Sequence, residues 1–546
     1  MDESLKFHFE SIDSPIAIEY NGKLYREEEA SYITQTIDII NELSLNEKIK
    51  KRFLYDGINY WQFMPSYMFT SFMLALKIND ILEANKLSIS NEAIHIAAEN
   101  AGAFLGVIRR HWVGDIDHLR NFYLRAKTRP SIRKCPQSEV LFLTQPKNWS
   151  KEGDAEFKGV IEFFNEKGIS SAILEPPYYA NRVEGANWSA LKALRDSRKK
   201  DVYFFDQYES LPHFIRSLIF RIKHRTKEEF KSVGRTEFLQ YIFNKILLWG
   251  ESILLPYEAK FLTSVGNEIL RDVRPNKVCL TYEVGPYARA LILAAHKEGI
   301  DTFGFMHGMK LAEPNADYSH VLQDNNHTLG FTPPTKTLVY GQFQADSLTQ
   351  YGSYKEEHIE IVGNWKLKDF HTRKQKTADN IISYPVCIYD AYCQVDFFEL
   401  VLSALKKYGL SKADVFVRPH PHQSISQLKR IWASFDMNEE NILLKDAHDI
   451  YDVIEATDLC IHDFSSTIIE AASFGKSILF SSNSHKGNHV KLPEENKFST
   501  QEELETLLKK YYQGSFSAKF DLEFYGCDIS QRKEEIFEPI FNAVMK

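Results

Sequence analysis

Two series of short apolar runs, each run followed by a helix-like segment, constrain the fold of this chain more than any other feature. The first series contains EVLFLTQP (139–146), SAILEPP (171–177), KVCLTYE (277–283) and DTFGFMHG (301–308). The second starts near Pro333 and contains KTLVYG (336–341), HIEIVGN (358–364), PVCIYDAY (385–392), DVFVRPHP (414–421), NILLKD (441–446), DLCIHD (458–463) and KSILF (476–480). Strands that alternate with helices form parallel sheets. We therefore predict an α/β fold with two Rossmann-like domains.

The chain divides into four predicted ranges. Residues 1–134 are a mainly helical extension, with apolar residues three and four apart in 70–87 and 92–112 and a hairpin near Asn21 and Gly22. Residues 135–332 and 333–530 are the two Rossmann-like domains, and residues 531–546 are a helix that packs back on the N-terminal domain. Polar residues crowd the carboxyl ends of strands in both domains, which predicts a cleft between them.

Composition argues against several functional classes but leaves room for local basic patches. The net charge of −8 gives no overall attraction to nucleic acid or to an anionic membrane. No run of 18 apolar residues occurs, and the MDESLKFHFESID start does not resemble a signal peptide, so we expect a cytoplasmic protein. The six cysteines are scattered without a CxxC pair, which predicts buried, reduced thiols and no metal site of cysteine ligands.

The segment LCIHDFSSTIIEAASFGKSILF (459–480) predicts an anion-binding turn. An apolar strand leads into Ser465, Ser466 and Thr467, and a helix follows. Hydroxyls and free backbone N–H groups at such a turn suit a phosphate, and Glu470, one turn deeper, is placed to reach ribose hydroxyls. The alternative is that Ser465 or Ser466 simply caps the helix.

A second polar turn follows the strand VFVRP. His420 and Pro421 lie in RPHPHQ, where the prolines stiffen the strand end, and Arg418 and His422 flank them. A protonated imidazole can stabilise a departing phosphate or act as a general acid, and we assign that role to His420. A structural histidine bonded to a neighbouring carbonyl is the alternative.

The first series supplies the candidate catalytic carboxylate. Glu283 follows the strand KVCLT, and His307 follows the next strand, so parallel pairing would bring both to one sheet edge. Glu283 is predicted to deprotonate an acceptor hydroxyl or to act as a nucleophile, with His307 orienting the acceptor. A helix-start acid favoured by the helix dipole is the alternative for Glu283.

Two weaker candidates for the nucleotide pocket, Asn364 and Asp390, also follow strands. Asp390 would bind a ribose, or merely cap a helix. Because no isolated DxD follows a strand, we expect neither a metal nor another cofactor.

These motifs resemble a known group of enzymes. His420–Pro421 followed by Ser465–Ser466 is similar to the HP and SS motifs of bacterial sialyltransferases and of capsule or lipopolysaccharide Kdo transferases, which use CMP-activated sugars. Tyr282–Glu283 and His307–Gly308 also look like elements of surface-carbohydrate biosynthesis proteins. The resemblance covers roughly residues 278–480 and implies a GT-B fold in which the HP and SS motifs bind the CMP phosphate and ribose.

The resemblance implies a metal-independent glycosyltransferase with a nucleotide-sugar donor and a glycan or glycolipid acceptor. Residues 135–332 would then be the acceptor domain and 333–530 the donor domain, and peripheral association with the inner membrane or with a polysaccharide-assembly complex stays open. Three alternatives remain: a CDP-glycerol or CDP-ribitol phosphotransferase of teichoic-acid type, which shares the HP and SS pattern, a non-catalytic nucleotide-binding scaffold, and a UDP-dependent, epimerase-like relative.

Overall fold

The structure is a computed structural model that describes most of the chain. The described ranges are 5–8, 17–21, 23–26, 32–55, 58–87, 90, 123, 135–145, 149–150, 153–154, 157–177, 195–197, 202–223, 236–249, 259–306, 318, 331–367, 384–390, 395–419, 425–444, 450–463, 467–482, 493–516, 520–527 and 533–546. The chain divides into two compact units. The first contains Met1–His307, Pro314–Leu338 and Leu348–Ile359, and the second contains Gly308–Glu313, Val339–Ser347 and Glu360–Lys546.

The N-terminal part combines a small antiparallel sheet with helices. Its strands are β1 (Leu5–His8), β2 (Ala17–Tyr20), β3 (Lys23–Arg26), β4 (Leu54–Tyr55) and β5 (Ile58–Asn59), and its helices are α1 (Tyr32–Leu45), α2 (Glu47–Phe53) and α3 (Pro65–Ala84). The hairpin of β2 and β3 matches the prediction around Asn21, which has a φ of +50°. The predicted helix at 92–112 lies outside the described residues.

Seven described strands form the sheet of the first series. They are β6 (Val140–Leu143), β9 (Ser171–Glu175), β10 (Tyr203–Phe204), β11 (Lys277–Thr281), β12 (Asp301–Phe305), β13 (Lys336–Val339) and β14 (Ile359–Ile361), and a separate two-stranded hairpin is made of β7 (Trp149–Ser150) and β8 (Gly153–Asp154). The order across the sheet is β10-β9-β6-β11-β12-β13-β14. Counted along the chain this is 3-2-1-4-5-6-7, the doubly wound order of a Rossmann sheet, whose direction reverses between β6 and β11.

The helices of this series are α4 (Lys158–Glu166), α5 (Leu211–Lys223), α6 (Glu237–Trp249), α7 (Phe261–Val273), α8 (Pro286–Glu298) and α9 (Gln342–Tyr351). The predicted amphipathic helix before Gly168 is α4, which ends at Glu166, and Gly168 has the left-handed φ of +82° that a helix-ending glycine adopts.

The structure differs from the sequence-based series at KTLVYG and HIEIVGN. We expected these runs to open the second sheet, but β13 pairs in parallel with β12, and β14 lies next to β13 in the first sheet. Reciprocal hydrogen bonds lock the start of this pairing, because each of Thr302 and Thr335 donates its backbone N–H to the other's Oγ1, at 3.0 and 3.1 Å. The four predicted domain ranges stay a prediction.

The second sheet has five described parallel strands. They are β15 (Tyr384–Asp390), β16 (Val415–Pro419), β17 (Thr457–His462), β18 (Ser477–Ser481) and β19 (Lys497–Phe498). The helices of this region are α10 (Val395–Lys407), α11 (Ile425–Ser434), α12 (Ile450–Ala456), α13 (Thr467–Ser473), α14 (Gln501–Tyr512) and α15 (Lys533–Met545). Among the described residues of the run NILLKD, 441–444, Ile442 forms an isolated bridge to Val417 and no strand is present.

The two faces of the central strands in the second sheet differ in chemistry. Val386, Ile388, Leu459 and Ile461 face an apolar core that also contains residues of α10, α11 and α14. Because side chains alternate along a strand, the residues between them face the opposite side: Cys387, Tyr389, Cys460 and His462.

The predicted α/β fold class, with two parallel-stranded sheets, is confirmed. The cleft and the packing of α15 on the N-terminal domain stay predictions. Five described cysteines, Cys135, Cys279, Cys387, Cys460 and Cys527, are buried, and none of them forms a disulfide. Within the described ranges, no helix is both long enough and apolar enough to cross a membrane.

Candidate functional site

The point where the strand order of the second sheet reverses brings the two predicted polar turns together. The order is β16-β15-β17-β18-β19, which along the chain is 2-1-3-4-5. In sheets of this order, ligands bind outside the carboxyl ends of strands 1 and 3, where the chain turns to opposite sides. Those strands are β15 and β17, and they end at Asp390 and His462.

The turns with the HP and SS motifs start at this edge. Asp390 is the register partner of Pro419, the last residue of β16, and Tyr389 is the partner of His462. Neighbouring strands lie about 4.8 Å apart, so the ends of β16 and β17, on either side of β15, are roughly 10 Å apart. His420, Pro421, Ser465, Ser466 and His307 lie outside the described residues, as does the side chain of Asp390, so their roles stay predictions.

Arg418 anchors the end of β16. Its side chain is buried, and Nη1 donates a hydrogen bond of 2.7 Å to the carbonyl oxygen of Leu443. This contact holds the segment after Ile442 against β16, immediately before the HP turn. The predicted phosphate contact of Arg418 stays a prediction.

The helix after the SS turn is short, and its acid has a described partner. Thr467 is the first residue of α13 and is half-buried. Glu470, one turn further on, accepts a hydrogen bond of 3.3 Å from the hydroxyl of Tyr451 on α12. This bond orients one carboxylate oxygen, and the predicted contact of Glu470 with ribose is not tested by it.

Asn364 is fully buried in contacts within its own unit. Its backbone N–H donates to the carbonyl of Gly526 at 2.8 Å, its Oδ1 accepts from the backbone N–H of Leu367 at 3.2 Å, and its Nδ2 lies 3.6 Å from Sγ of Cys527. These contacts tie the end of β14 to the 520–527 turn. They give Asn364 a structural role, whereas its predicted place in the nucleotide pocket stays untested.

His462 is a candidate that the sequence motifs did not reveal. Its ring is fully buried and stacks on Tyr389, with centroids 4.7 Å apart and an interplanar angle of 11°. Neither ring nitrogen has a hydrogen-bond partner among the described residues. Burial lowers the pKa of His462 to about 3, so the imidazole is neutral. A neutral ring with an available donor and an available acceptor therefore lies at the end of β17, three residues before Ser465.

Glu283 follows the strand at which the first sheet reverses, but its carboxylate points into the protein. Oε1 accepts a hydrogen bond of 2.8 Å from the Tyr354 hydroxyl, and the Thr337 hydroxyl lies 3.1 and 3.2 Å from the two oxygens. The residue is 1% exposed. Desolvation by burial raises its pKa, against the opposing effects of the Tyr354 hydrogen bond, the charge of Arg289 and the Thr337 hydrogen bond.

A glycine makes room for this carboxylate. A Cβ added at Gly304 on β12 would lie 1.5 Å from Oε2 of Glu283 and 3.0 Å from Cγ of Pro334. The preceding residue, Tyr282, has a φ of +53°, in the left-handed region that a bulky side chain rarely adopts. The turn TYEVG is therefore built so that residue 283 points inward, and the predicted catalytic role of Glu283 would require the side chain to leave this pocket.

A metal centre has no candidate in the part of the chain that the structure describes. No group of three or more His, Cys, Asp or Glu side chains is arranged there to hold an ion. Metal independence and the lack of a cofactor stay predictions.

Comparison with known proteins gives weak likenesses of fold. The chain is similar to a UDP-N-acetylglucosamine 2-epimerase from Neisseria meningitidis bound to UDP-GlcNAc, with a TM-score of 0.41, 12% identity and coverage of 74% of this chain and 97% of that one. A putative epimerase of the same kind from Listeria monocytogenes matches with a TM-score of 0.43, 11% identity and coverage of 74% and 95%. A glycosyltransferase from Rickettsia africae matches with a TM-score of 0.36, 13% identity and coverage of 74% and 94%.

At these TM-scores and identities, the likenesses carry no argument about activity. No protein-family model matches the chain, and no curated protein matches it.

Proposed function

We propose that this chain is a metal-independent glycosyltransferase that moves a Kdo or sialic-acid-like sugar from a CMP-activated donor to a bacterial surface glycan of capsule or lipopolysaccharide type. The observation that carries the proposal is the strand order of the second sheet, which sets the starts of the HP and SS turns on either side of β15, at the edge where doubly wound sheets bind ligands. The resemblance of both turns to CMP-sugar enzymes supplies the nucleotide.

Different residues at this edge would bind different parts of the donor. His420, Ser465 and Ser466 would surround the CMP phosphate. They would stabilise the negative charge that develops on this phosphate as its bond to the sugar breaks. Asp390 and Glu470 would take ribose hydroxyls. We add His462 to this set, because its two ring nitrogens without described partners match a ligand that offers both a donor and an acceptor. Its ring is fully buried, so this contact, like that of Glu283, requires the site to open.

Glu283 would act on the acceptor hydroxyl or on the anomeric carbon. Burial raises its pKa, which is the direction that a carboxyl group needs to exchange a proton in catalysis. Its hydrogen bonds to Tyr354 and Thr337 must break before it can do so. Substitution by glutamine therefore separates a chemical role, which requires an ionisable group, from a structural one, which requires only the shape.

The first test measures nucleotide binding by thermal shift with CMP, CDP-glycerol and UDP-N-acetylglucosamine. A ligand at about 100 times its Kd stabilises the folded state by about 2.7 kcal/mol, or about 5–10 °C for a unit of this size. We expect this shift with CMP, and we expect it to be lost in Ser465→Ala/Ser466→Ala. Ser403→Ala, on the exposed side of α10, is the matched control and should bind as the wild type does.

The second test measures turnover of CMP-Kdo and CMP-sialic acid, followed as slow donor hydrolysis. His420→Ala should lower turnover by about 100-fold or more, whereas His296→Ala, at an exposed position on α8, should not. Turnover of CDP-glycerol in place of the CMP-sugars would establish polyol-phosphate transfer instead. A response to UDP-N-acetylglucosamine alone would favour the epimerase-like alternative. Binding of CMP with unchanged biological output in His420→Ala and Glu283→Gln would favour the scaffold.

A further inference from the structure

Helix α5 has an apolar face turned to solvent. Thirteen large hydrophobic residues are exposed in the described part of the chain, and five of them lie on this one helix. They are Leu211 (58% exposed), Ile215 (45%), Leu218 (36%), Ile219 (46%) and Ile222 (72%). At 3.6 residues per turn and a rise of 1.5 Å per residue, they fall within an arc of about 100° and form a stripe about 17 Å long. We call these five residues the α5 stripe.

The opposite face of α5 is the one that packs into the first unit. His213, Ser217 and Phe220 are buried. Nε2 of His213 lies 3.2 Å from Oε2 of Glu268 on α7, and the ring of Phe220 packs edge-on against Tyr55, with centroids 5.1 Å apart. The helix is thus held by one side, and its more aliphatic side remains exposed, the reverse of an ordinary surface helix.

The charges on α5 are all positive and border the stripe. Arg216 and Lys223 fall on one side of the apolar arc and Arg221 on the other, and the sequence LPHFIRSLIFRIK contains no acidic residue. In a chain with a net charge of −8, this helix is a local basic element. An apolar arc edged by arginine and lysine is the pattern of a helix that lies in the interface of an anionic bilayer.

We propose that α5 docks this protein on an anionic phospholipid surface, with the α5 stripe inserted among the acyl chains and Arg216, Arg221 and Lys223 at the headgroups. A protein partner or a second copy of the chain fits less well. The stripe is purely aliphatic and offers no aromatic or hydrogen-bonding anchor, and five side chains are far fewer than the roughly 20–30 residues that each side of a stable protein interface uses. Docking through α5 does not depend on the proposed transfer reaction.

The test is flotation of the full-length protein with two kinds of vesicle, phosphatidylcholine alone and phosphatidylcholine with phosphatidylglycerol. We expect binding to the anionic vesicles and little to the neutral ones. Ile215→Glu/Ile219→Glu should weaken that binding by about 100-fold, because two aliphatic side chains that would insert among the acyl chains are replaced by charged ones. Arg216→Gln/Lys223→Gln should weaken it by about tenfold through the lost headgroup attraction.

The matched control replaces two equally exposed residues elsewhere. Leu24→Glu/Ile361→Glu changes side chains that are each 46% exposed, and it should float as the wild type does. Equal melting temperatures would show that the variants fold. Failure of the wild type to float with anionic vesicles, or equal loss in the control, would overturn the proposal. So would sedimentation of the wild type as a dimer that Ile215→Glu/Ile219→Glu dissociates, since the stripe would then be a self-interface.

Discussion

Replacing Gly304 with alanine should destabilise the first unit through one contact. The added Cβ would lie 1.5 Å from Oε2 of Glu283 and 2.7 Å from its Cδ. The carboxylate would have to move by about 1.5 Å or more to reach an ordinary contact distance, and it would lose its hydrogen bonds from Tyr354 and Thr337. Overpacking costs about 1–3 kcal/mol and a strained bond to a charged group about 1.5–3 kcal/mol, so we expect a loss of about 3–5 kcal/mol.

The assay is urea unfolding of the full chain, with the midpoint of the transition that reports on the first unit. The matched control is Gly266→Ala in α7, where the added Cβ would lie 3.3 Å from the carbonyl oxygen of Ala290 and 3.5 Å from Cβ of Ala294, and where alanine also favours the helix. Glu283→Ala in the Gly304→Ala background should recover part of the loss, with a coupling of about 1–3 kcal/mol. Gly304→Ala with a midpoint equal to that of Gly266→Ala, or strictly additive costs in the double variant, would refute this account of the pocket.

Two further substitutions test the buried groups. Burial raises the pKa of Glu283, so above its ordinary range the folded state holds a proton that the unfolded state has lost, and the contribution of this group to stability falls as pH rises towards the folded pKa. The urea midpoint of the wild type should therefore fall relative to that of Glu283→Gln as pH rises, because the groups that the two proteins share cancel in the difference. His462→Phe keeps the ring stacked on Tyr389 and removes two buried nitrogens without described partners. This variant should therefore be as stable as the wild type or more stable by about 1 kcal/mol. If the imidazole binds the nucleotide, titration calorimetry should show that the affinity for CMP falls by about tenfold. Lower stability with unchanged affinity for CMP would contradict a binding role of His462.

The strands of both sheets could be predicted because each is a short apolar run bounded by turn residues. KVCLT, DTFGF and DLCIH all lie where the pattern placed them. Their partners could not be predicted in the same way. Apolar alternation describes one strand at a time, whereas the pairing of β13 with β12 depends on contacts such as those between Thr302 and Thr335, 33 residues apart. The run NILL (441–444) has the composition of a strand, yet of these four described residues only Ile442 forms a bridge.

For the site, too, the individual motifs could be predicted from the sequence, whereas their arrangement in space could not. The HP and SS turns follow strands that the structure places on either side of β15, and that placement follows from the strand order, which no local pattern encodes. His462 gave only a weak signal, a histidine at the end of an apolar run, because its burial and its stacking on Tyr389 arise from the neighbouring strand. Gly304 gave no signal in the sequence, because the side chain that requires a glycine there belongs to Glu283, on a different segment of the chain.

The two properties that Glu283 would need for catalysis oppose each other in this structure. A carboxyl group that transfers protons near neutral pH needs a raised pKa, and burial shifts the pKa of Glu283 in that direction. The same burial denies contact with any acceptor, because the oxygens are held by Tyr354 and Thr337 over Gly304. Breaking two such bonds costs about 3 kcal/mol, which leaves an outward conformer below about 1% of molecules unless a substrate stabilises it. A chemical role for Glu283 therefore requires substrate-driven release of this carboxylate. Without such release, the raised pKa of Glu283 is a consequence of a packing role in the turn that follows β11.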